Sequence, residues 1–158
     1  MPTLYWQRCS AALLLALAGG LARPADDPPP TTKPDPMATV RSAVQASRWG
    51  AASDELRKLN ASGGYSQNAD WNNLMGYVMR KQASPDLDAA QRYYDTALRI
   101  DPKHQGALEY SGELALMKND LATAEARLAT LSGLCRSPCE PLDDLKKAIA
   151  RYKAGAKS

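Results

Sequence analysis

Two stretches of the sequence decide the fold: residues 87–100 read LDAAQRYYDTALRI, and residues 121–134 read LATAEARLATLSGL. In each stretch, apolar or small residues recur at intervals of three, four and three, starting at Leu87 and at Leu121. These intervals place four side chains on one stripe of an α-helix. The second set follows the first by 34 residues at every position. This constant offset indicates stacked helical repeats.

The same spacing continues on both sides of these stretches. It starts at Trp49, 38 residues before Leu87, and once more at Leu142 near the end of the chain. Partner helices are expected between the stripes, beginning near Ala38, near Trp71 and before Leu108. We therefore expect three helix pairs and one extra helix, seven helices in all. The breaks after the three pairs are Ser62-Gly63-Gly64, Asp101-Pro102 and Ser132-Gly133.

The composition favours an all-α protein. Val and Ile together number five, Phe is absent, and Ala supplies 27 of the 158 residues. Sheets are rich in β-branched and aromatic residues, whereas Ala and Leu favour helices. The 20 basic and 17 acidic residues nearly balance, and the basic ones are scattered until the last helix and tail. A nucleic-acid partner is therefore not expected.

The first 36 residues precede the repeats. Residues 1–22 carry one charge, Arg8, and an apolar run from Ala11 to Ala22, which predicts a signal peptide and a periplasmic or secreted protein. The run is shorter than the roughly 20 residues of a membrane-spanning helix. An uncleaved membrane anchor is the alternative, and it is the only route by which we expect contact with a membrane. Residues 23–36 contain six prolines and predict a disordered linker.

Residues 37–155 resemble the tetratricopeptide repeat family, whose 34-residue unit is a pair of helices. The resemblance implies a right-handed α-α superhelix of about three units, closed by a capping helix over 140–154. It also implies close contacts of Gly76 with Ala90 and of Gly112 with Ala124, where paired helices cross. Either Ser137 or Glu140 followed by Pro141 marks the start of the capping helix. The matching packing positions are Gly76, Ala90, Tyr94, Ala97, Pro102, Gly112 and Ala124.

The resemblance also implies where a partner binds, because the first helices of such units line a concave face. The face is expected to be basic toward the middle unit and acidic toward the third, which disfavours a clamp for a peptide carboxylate. Two of its tyrosines, Tyr77 and Tyr110, and the nearby Trp71 are either anchors for a partner or parts of the core. The residues expected on this face are Arg41, Asn73, Tyr77, Arg80, Lys81, Glu109, Tyr110 and Glu113.

Cys135 and Cys139 are the two cysteines that follow the signal peptide, and an oxidising compartment predicts a disulfide between them. A zinc site is not expected, since His104 is the only histidine. The sequence contains no phosphate loop or nucleophile elbow, so we expect neither an enzyme nor a cofactor. The predicted function is a scaffold or adaptor that binds a protein or peptide. The alternatives are a thiol-redox protein acting through the two cysteines and a membrane-anchored subunit of an assembly complex.

Overall fold

The structure, a computed structural model, describes residues 35–155. Seven α-helices follow one another in this range without a strand, which confirms the all-α prediction and the expected number of helices. The predicted signal peptide, and the linker as far as residue 34, lie outside the described residues. The helices are α1 (Ala38–Gln45), α2 (Trp49–Gly63), α3 (Ala69–Lys81), α4 (Leu87–Ile100), α5 (Gln105–Met117), α6 (Leu121–Leu134) and α7 (Glu140–Lys153), with a short 3₁₀ helix at Tyr65–Gln67. Among these helices, none combines the length and apolar character needed to cross a bilayer.

Equivalent side chains cap the helices of successive pairs. Asn68 and His104, 36 residues apart, precede α3 and α5, and each accepts a hydrogen bond from the backbone N–H three residues further on. Asp86 and Asp120, 34 residues apart, do the same for α4 and α6. Such caps satisfy backbone donors that the first turn of a helix leaves unpaired. The repeat therefore extends from the apolar stripes to the helix ends.

Consecutive helices pack side by side because their connections are short. The contacts join α1 to α2, α3 to α4 and α5 to α6 within pairs, and α2 to α3, α4 to α5 and α3 to α5 between pairs. The last helix, α7, packs on both α5 and α6. One apolar cluster lies around Leu56 and Trp71, and a second lies around Leu108 and Leu131. The core thus runs from pair to pair and ends under α7.

The packing residues are buried, but the two glycines do not have the nearest neighbours that we expected. A Cβ atom on Gly76 would lie 2.7 Å from the ring of Tyr94, one turn beyond Ala90. A Cβ atom on Gly112 would lie 2.8 Å from a terminal methyl group of Leu145 in α7. The small residues therefore make room for a tyrosine ring in one pair and for the last helix in the next. The other packing positions Ala90, Tyr94, Ala97 and Ala124 are fully buried, and Pro102 is exposed after the end of α4.

The last two helices differ in detail from the prediction. Helix α6 continues through Ser132-Gly133 to Leu134, so the predicted break falls too early. Helix α7 begins at Glu140 with Pro141 in its first turn, which selects that start over the capping box at Ser137. The disulfide joins Cys135, directly after α6, to Cys139, the N-cap residue of α7, across a Cα–Cα distance of 5.8 Å. It fixes the short connection between the two helices.

Candidate functional site

Helices α3, α5 and α7 together line two adjoining cavities. The larger, which we call the acidic cavity, has a volume of about 430 Å³. The smaller, which we call the arginine cavity, has a volume of about 390 Å³. Lys81 and Glu113 belong to both. The acidic cavity is lined by Asn73, Tyr77, Lys81, Gly106, Glu109, Tyr110, Glu113, Glu140, Pro141 and Asp144, and the arginine cavity by Arg80, Lys81, Glu113, Leu116, Met117, Ala148 and Arg151.

Most of the residues that we expected on the binding face surround one space. The six that line the acidic cavity are Asn73, Tyr77, Lys81, Glu109, Tyr110 and Glu113. The first three lie on α3 and the others on α5, at positions that each helix turns to the same side. These residues were expected on one face from the resemblance to tetratricopeptide repeats, in which the first helix of each unit lines the concave side. The remaining two, Arg41 and Arg80, have different surroundings.

Arg41 lies in a separate group of charged residues near the start of α3 and α5. Its side chain pairs with Asp35 at 3.1 Å and with Asp70 at 3.7 Å. The same Asp70 carboxylate lies 3.0 Å from Nε2 of His104. The structure therefore does not bring Arg41 together with the other predicted face residues, because acidic side chains at the helix ends hold it there. The local sequence pattern around Arg41 does not distinguish it from the residues that line the acidic cavity.

Arg80 is buried rather than presented as a free cation. One guanidinium nitrogen donates a hydrogen bond of 2.8 Å to Oε2 of Glu113, and the Arg80 side chain is 5% exposed against 25% for Glu113. The guanidinium carbon lies 5.5 Å from the ring centroids of both Tyr77 and Tyr110. Arg80 therefore links α3 to α5 through an ion pair and two cation–π contacts. The positive charge of Arg80, which was expected to face a partner, is therefore largely balanced by Glu113 and by the two tyrosine rings.

The aromatic residues separate into core and cavity wall. Trp71 is 5% exposed, and its indole N–H donates a hydrogen bond to the Leu56 carbonyl, so it belongs to the core. Tyr77 and Tyr110 line the acidic cavity, with their ring centroids 4.6 Å apart. Burial raises the pKa of both tyrosines. Their hydroxyls stay protonated at neutral pH and can donate or accept hydrogen bonds.

Glu109 is the most deeply buried acid of the site, at 7% exposure. Its burial, together with the charges of Glu113 and Asp144, raises the pKa of Glu109 to about 8. Each of these causes disfavours the ionised carboxylate. Glu109 is therefore largely protonated at pH 7. A positive charge placed beside it would favour the carboxylate.

The first turns of α7 supply acidic groups that the sequence analysis missed. Glu140 and Asp144 are four residues apart, hence on one side of the helix, and both line the acidic cavity. From the sequence, this helix was expected only to cover the core. Their spacing was the available signal, but the position of α7 over α5 depends on long-range packing. The side chain of Asn73 adds a polar group to the wall, since its Oδ1 atom is buried without a hydrogen-bond partner among the described residues.

Within residues 35–155, no three His, Cys, Asp or Glu side chains lie close enough together to hold a metal ion. The sequence matches no protein-family model, and no curated protein is significantly similar to it. The chemistry of the two cavities therefore carries the functional interpretation.

Proposed function

We propose that this chain is a non-catalytic interaction protein of the tetratricopeptide type, and that it binds a segment of a partner protein over the acidic cavity. The observation that carries the proposal is the convergence of six predicted face residues on one cavity of about 430 Å³. A cavity of this size is typical of sites that receive a ligand or a side chain. The half-buried Tyr77 and Tyr110 offer the aromatic anchors common in binding surfaces.

The packing of the helices supports the family assignment within this proposal. Each pair packs on the next, and α7 covers the end of the core with Leu145, Ala148 and Ile149 buried. Stacked repeats require such a terminal cover, because the last unit has no following neighbour. A right-handed superhelix of about three units, with a concave face on its first helices, is the arrangement we propose.

Photo-crosslinking tests the binding face. Tyr77→p-benzoylphenylalanine would place the reactive group in the acidic cavity of the full chain, expressed in its native cells. The matched control is Ala129→p-benzoylphenylalanine, at an exposed position of α6. We expect a discrete protein adduct from position 77 and none from position 129. Equal adducts from both positions, or none from the cavity, would contradict the proposal.

The proposal includes export of the chain through its N-terminal segment. The mature protein is then expected to begin near Arg23, after removal of the predicted signal peptide. N-terminal sequencing of the protein isolated from its native compartment tests this expectation. An intact N-terminus recovered with the membrane fraction would instead support the membrane-anchored alternative.

A thiol-redox function of Cys135 and Cys139 is the second candidate. Cys139 is the N-cap residue of α7, and the N-terminus of a helix stabilises a thiolate. Against this function, the Cys139 residue is only 9% exposed, which limits the access of another thiol. Alkylation of the native protein in graded glutathione buffers separates the roles. A structural disulfide stays oxidised at glutathione redox potentials at which a catalytic pair would be reduced and then alkylated.

A further inference from the structure

The acidic cavity has an excess of negative groups. Four carboxylates, those of Glu109, Glu113, Glu140 and Asp144, line it, and Lys81 is its one lining cation. The buried Arg80 forms an ion pair with Glu113 and so offsets one of these charges. With Glu109 protonated, one negative charge remains without a partner on the protein, and ionisation of Glu109 raises this excess to two. Electrostatic complementarity therefore favours a positively charged occupant.

One buried acceptor in this cavity lacks a donor among the described residues, and an acid lies in the same cavity. The Asn73 residue is 7% exposed, and its Oδ1 atom has no hydrogen-bond partner among the described residues. Glu109, whose residue is also 7% exposed, lines the same cavity and becomes an acceptor of hydrogen bonds when it ionises. A buried acceptor left unpaired is destabilising, so a donor that reaches it is favoured. A group with several N–H donors would satisfy both, and lysine offers three donors and arginine five.

The tyrosine wall fits the same chemistry. Aromatic faces attract cations, and the rings of Tyr77 and Tyr110 already lie against the guanidinium of Arg80. The exposed Lys81 has its Nζ atom 5.7 Å from the centroid of Tyr77. The positive charge of Lys81 at the rim opposes entry of a second cation. Removal of that charge should therefore strengthen the binding of a cationic occupant.

We propose that the acidic cavity receives a lysine or arginine side chain from an extended segment of the partner protein, with Glu109 and Asn73 as its hydrogen-bond acceptors. This inference rests on the proposed function and specifies the chemistry of the partner. It excludes a peptide carboxylate from this cavity, because such a group would lie among four acids.

Binding of a cation is coupled to the ionisation of Glu109. The groups that influence this carboxyl are Glu113 on α5, Asp144 and Glu140 on α7, and Arg80 on α3. Because the pKa of Glu109 is about 8, entry of a cation at pH 7 should lower that pKa and release up to about one proton. The affinity for a cationic peptide should consequently rise between pH 6 and pH 8. A variant with glutamine at this position should lose that dependence.

Peptide titration by fluorescence anisotropy tests the inference. The probe is a fluorescein-labelled peptide of sequence SGRRGS with blocked ends, with SGKKGS alongside it. The matched control peptide carries citrulline in place of both arginines, which keeps the shape and removes the charge. We expect the arginine and lysine peptides to bind the full chain at physiological ionic strength. The citrulline peptide should not bind.

Variants of the protein locate the binding to the cavity. Glu109→Gln should weaken binding of the arginine peptide about tenfold or more, since it removes a charged hydrogen-bond acceptor. Asp95→Asn, the same loss of charge at an exposed position of α4, should leave the affinity within about twofold because that charge is solvated. Lys81→Met should strengthen binding. Asp144→Asn provides a second cavity variant, and circular dichroism checks the fold of each.

The outcomes separate this inference from the proposed function. Equal binding of the arginine and citrulline peptides, or equal weakening by Glu109→Gln and Asp95→Asn, would overturn the cationic occupant. An adduct at position 77 would then still support a partner on this face. Conversely, charge-dependent peptide binding without any adduct would support the cavity chemistry and contradict the proposed partner. A crosslinked partner segment without lysine or arginine would also overturn the inference.

Discussion

The pairs α3–α4 and α5–α6 have equivalent caps and packing residues, yet they bury different polar groups. Asn73 on α3 and Glu109 on α5 are 36 residues apart, as are Gly76 and Gly112. The glycines are small in both pairs, whereas the polar positions carry an amide in one and an acid in the other. The positions that pack helices together are therefore constrained. The positions that face the cavity can differ in charge, and this difference gives the candidate site its mixture of amide and acidic groups.

The two pairs also differ in what completes their cores. Tyr94 of α4 is fully buried against Gly76, but its counterpart Leu128 in α6 is only partly buried. The space above Gly112 is filled instead by Leu145 from α7. The earlier pair is thus completed by its own tyrosine, and the later pair depends on the following helix.

The ion pair between the two pairs should give the largest effect on stability. Glu113→Ala leaves the buried guanidinium of Arg80 without its counter-charge and should cost about 3 kcal/mol or more. Arg80→Met leaves the more exposed Glu113, which water can solvate, and should cost about half as much. Chemical denaturation at pH 7 measures both. Equal costs would show that the unequal burial of Arg80 and Glu113 does not determine how much each substitution destabilises the protein.

Glu109 should make the stability of the later pair depend on pH. Its pKa is raised from the ordinary value of 4.5 to about 8, so the folded state retains a proton that the unfolded state has lost. Stability should therefore fall as pH rises from about 4.5 to about 8, by at most about 1.4 kcal/mol per pH unit. Glu109→Gln should remove this slope and make the protein more stable at pH 8 than the unsubstituted chain. Asn73→Asp serves as the converse variant in the earlier pair, because it introduces a further acid into the same cavity and should steepen the slope.

The equivalent glycines should respond unequally to an added methyl group. Gly76→Ala forces the Cβ atom against the buried ring of Tyr94 and should cost about 2 kcal/mol. Gly112→Ala meets the ends of the flexible Leu145 side chain, and alanine also favours the helix, so the net cost should stay below about 1 kcal/mol. Thermal and denaturant unfolding measure both variants. If Gly112→Ala were the more damaging, the tyrosine would not be the more rigid neighbour.

The equivalent caps should give the smallest effects. Asn68→Ala and His104→Ala each remove one acceptor for a backbone N–H and should cost about 1 kcal/mol. His104→Ala also removes the contact with Asp70 and should be the slightly more damaging of the two. His104→Asn keeps a capping side chain and should recover most of the loss. Failure of asparagine to do so would assign the stability to the Asp70 contact instead of the cap.

Local periodicity was sufficient to predict the helices and their buried stripes, whereas the family resemblance indicated which helix faces line the candidate site. The intervals around Ala90 and Ala124 identify two stripes whose residues the structure buries, fully at Ala90, Tyr94, Ala97, Ala124 and Leu131 and partly at Leu87, Leu121 and Leu128. The resemblance selected the sides of α3 and α5 that carry Asn73, Tyr77 and Glu109, and these residues line one cavity. The stripes themselves need only the geometry of one helix at a time.

Features that depend on contacts between helices could not be predicted from the sequence pattern of a single helix. Arg80 shares a side of α3 with Tyr77, but its burial follows from the position of Tyr110 and Glu113 on α5. Likewise, Gly76 was matched to Ala90 by family pattern, whereas the tyrosine one turn later fills the space. The acidic groups of α7 enter the site only because that helix crosses α5. Each of these facts requires the relative placement of two helices, which no single stripe specifies.

Helix α7 both seals the apolar core and supplies Glu140 and Asp144 to the acidic cavity. A chain lengthened by an additional helix pair between α6 and α7 would still be covered at its end, but those two acids would move away from Glu109. Growth of the stack would thereby change the charge of the acidic cavity without altering any residue of α3 or α5. The number of helix pairs and the charge of this cavity are therefore linked through the position of α7.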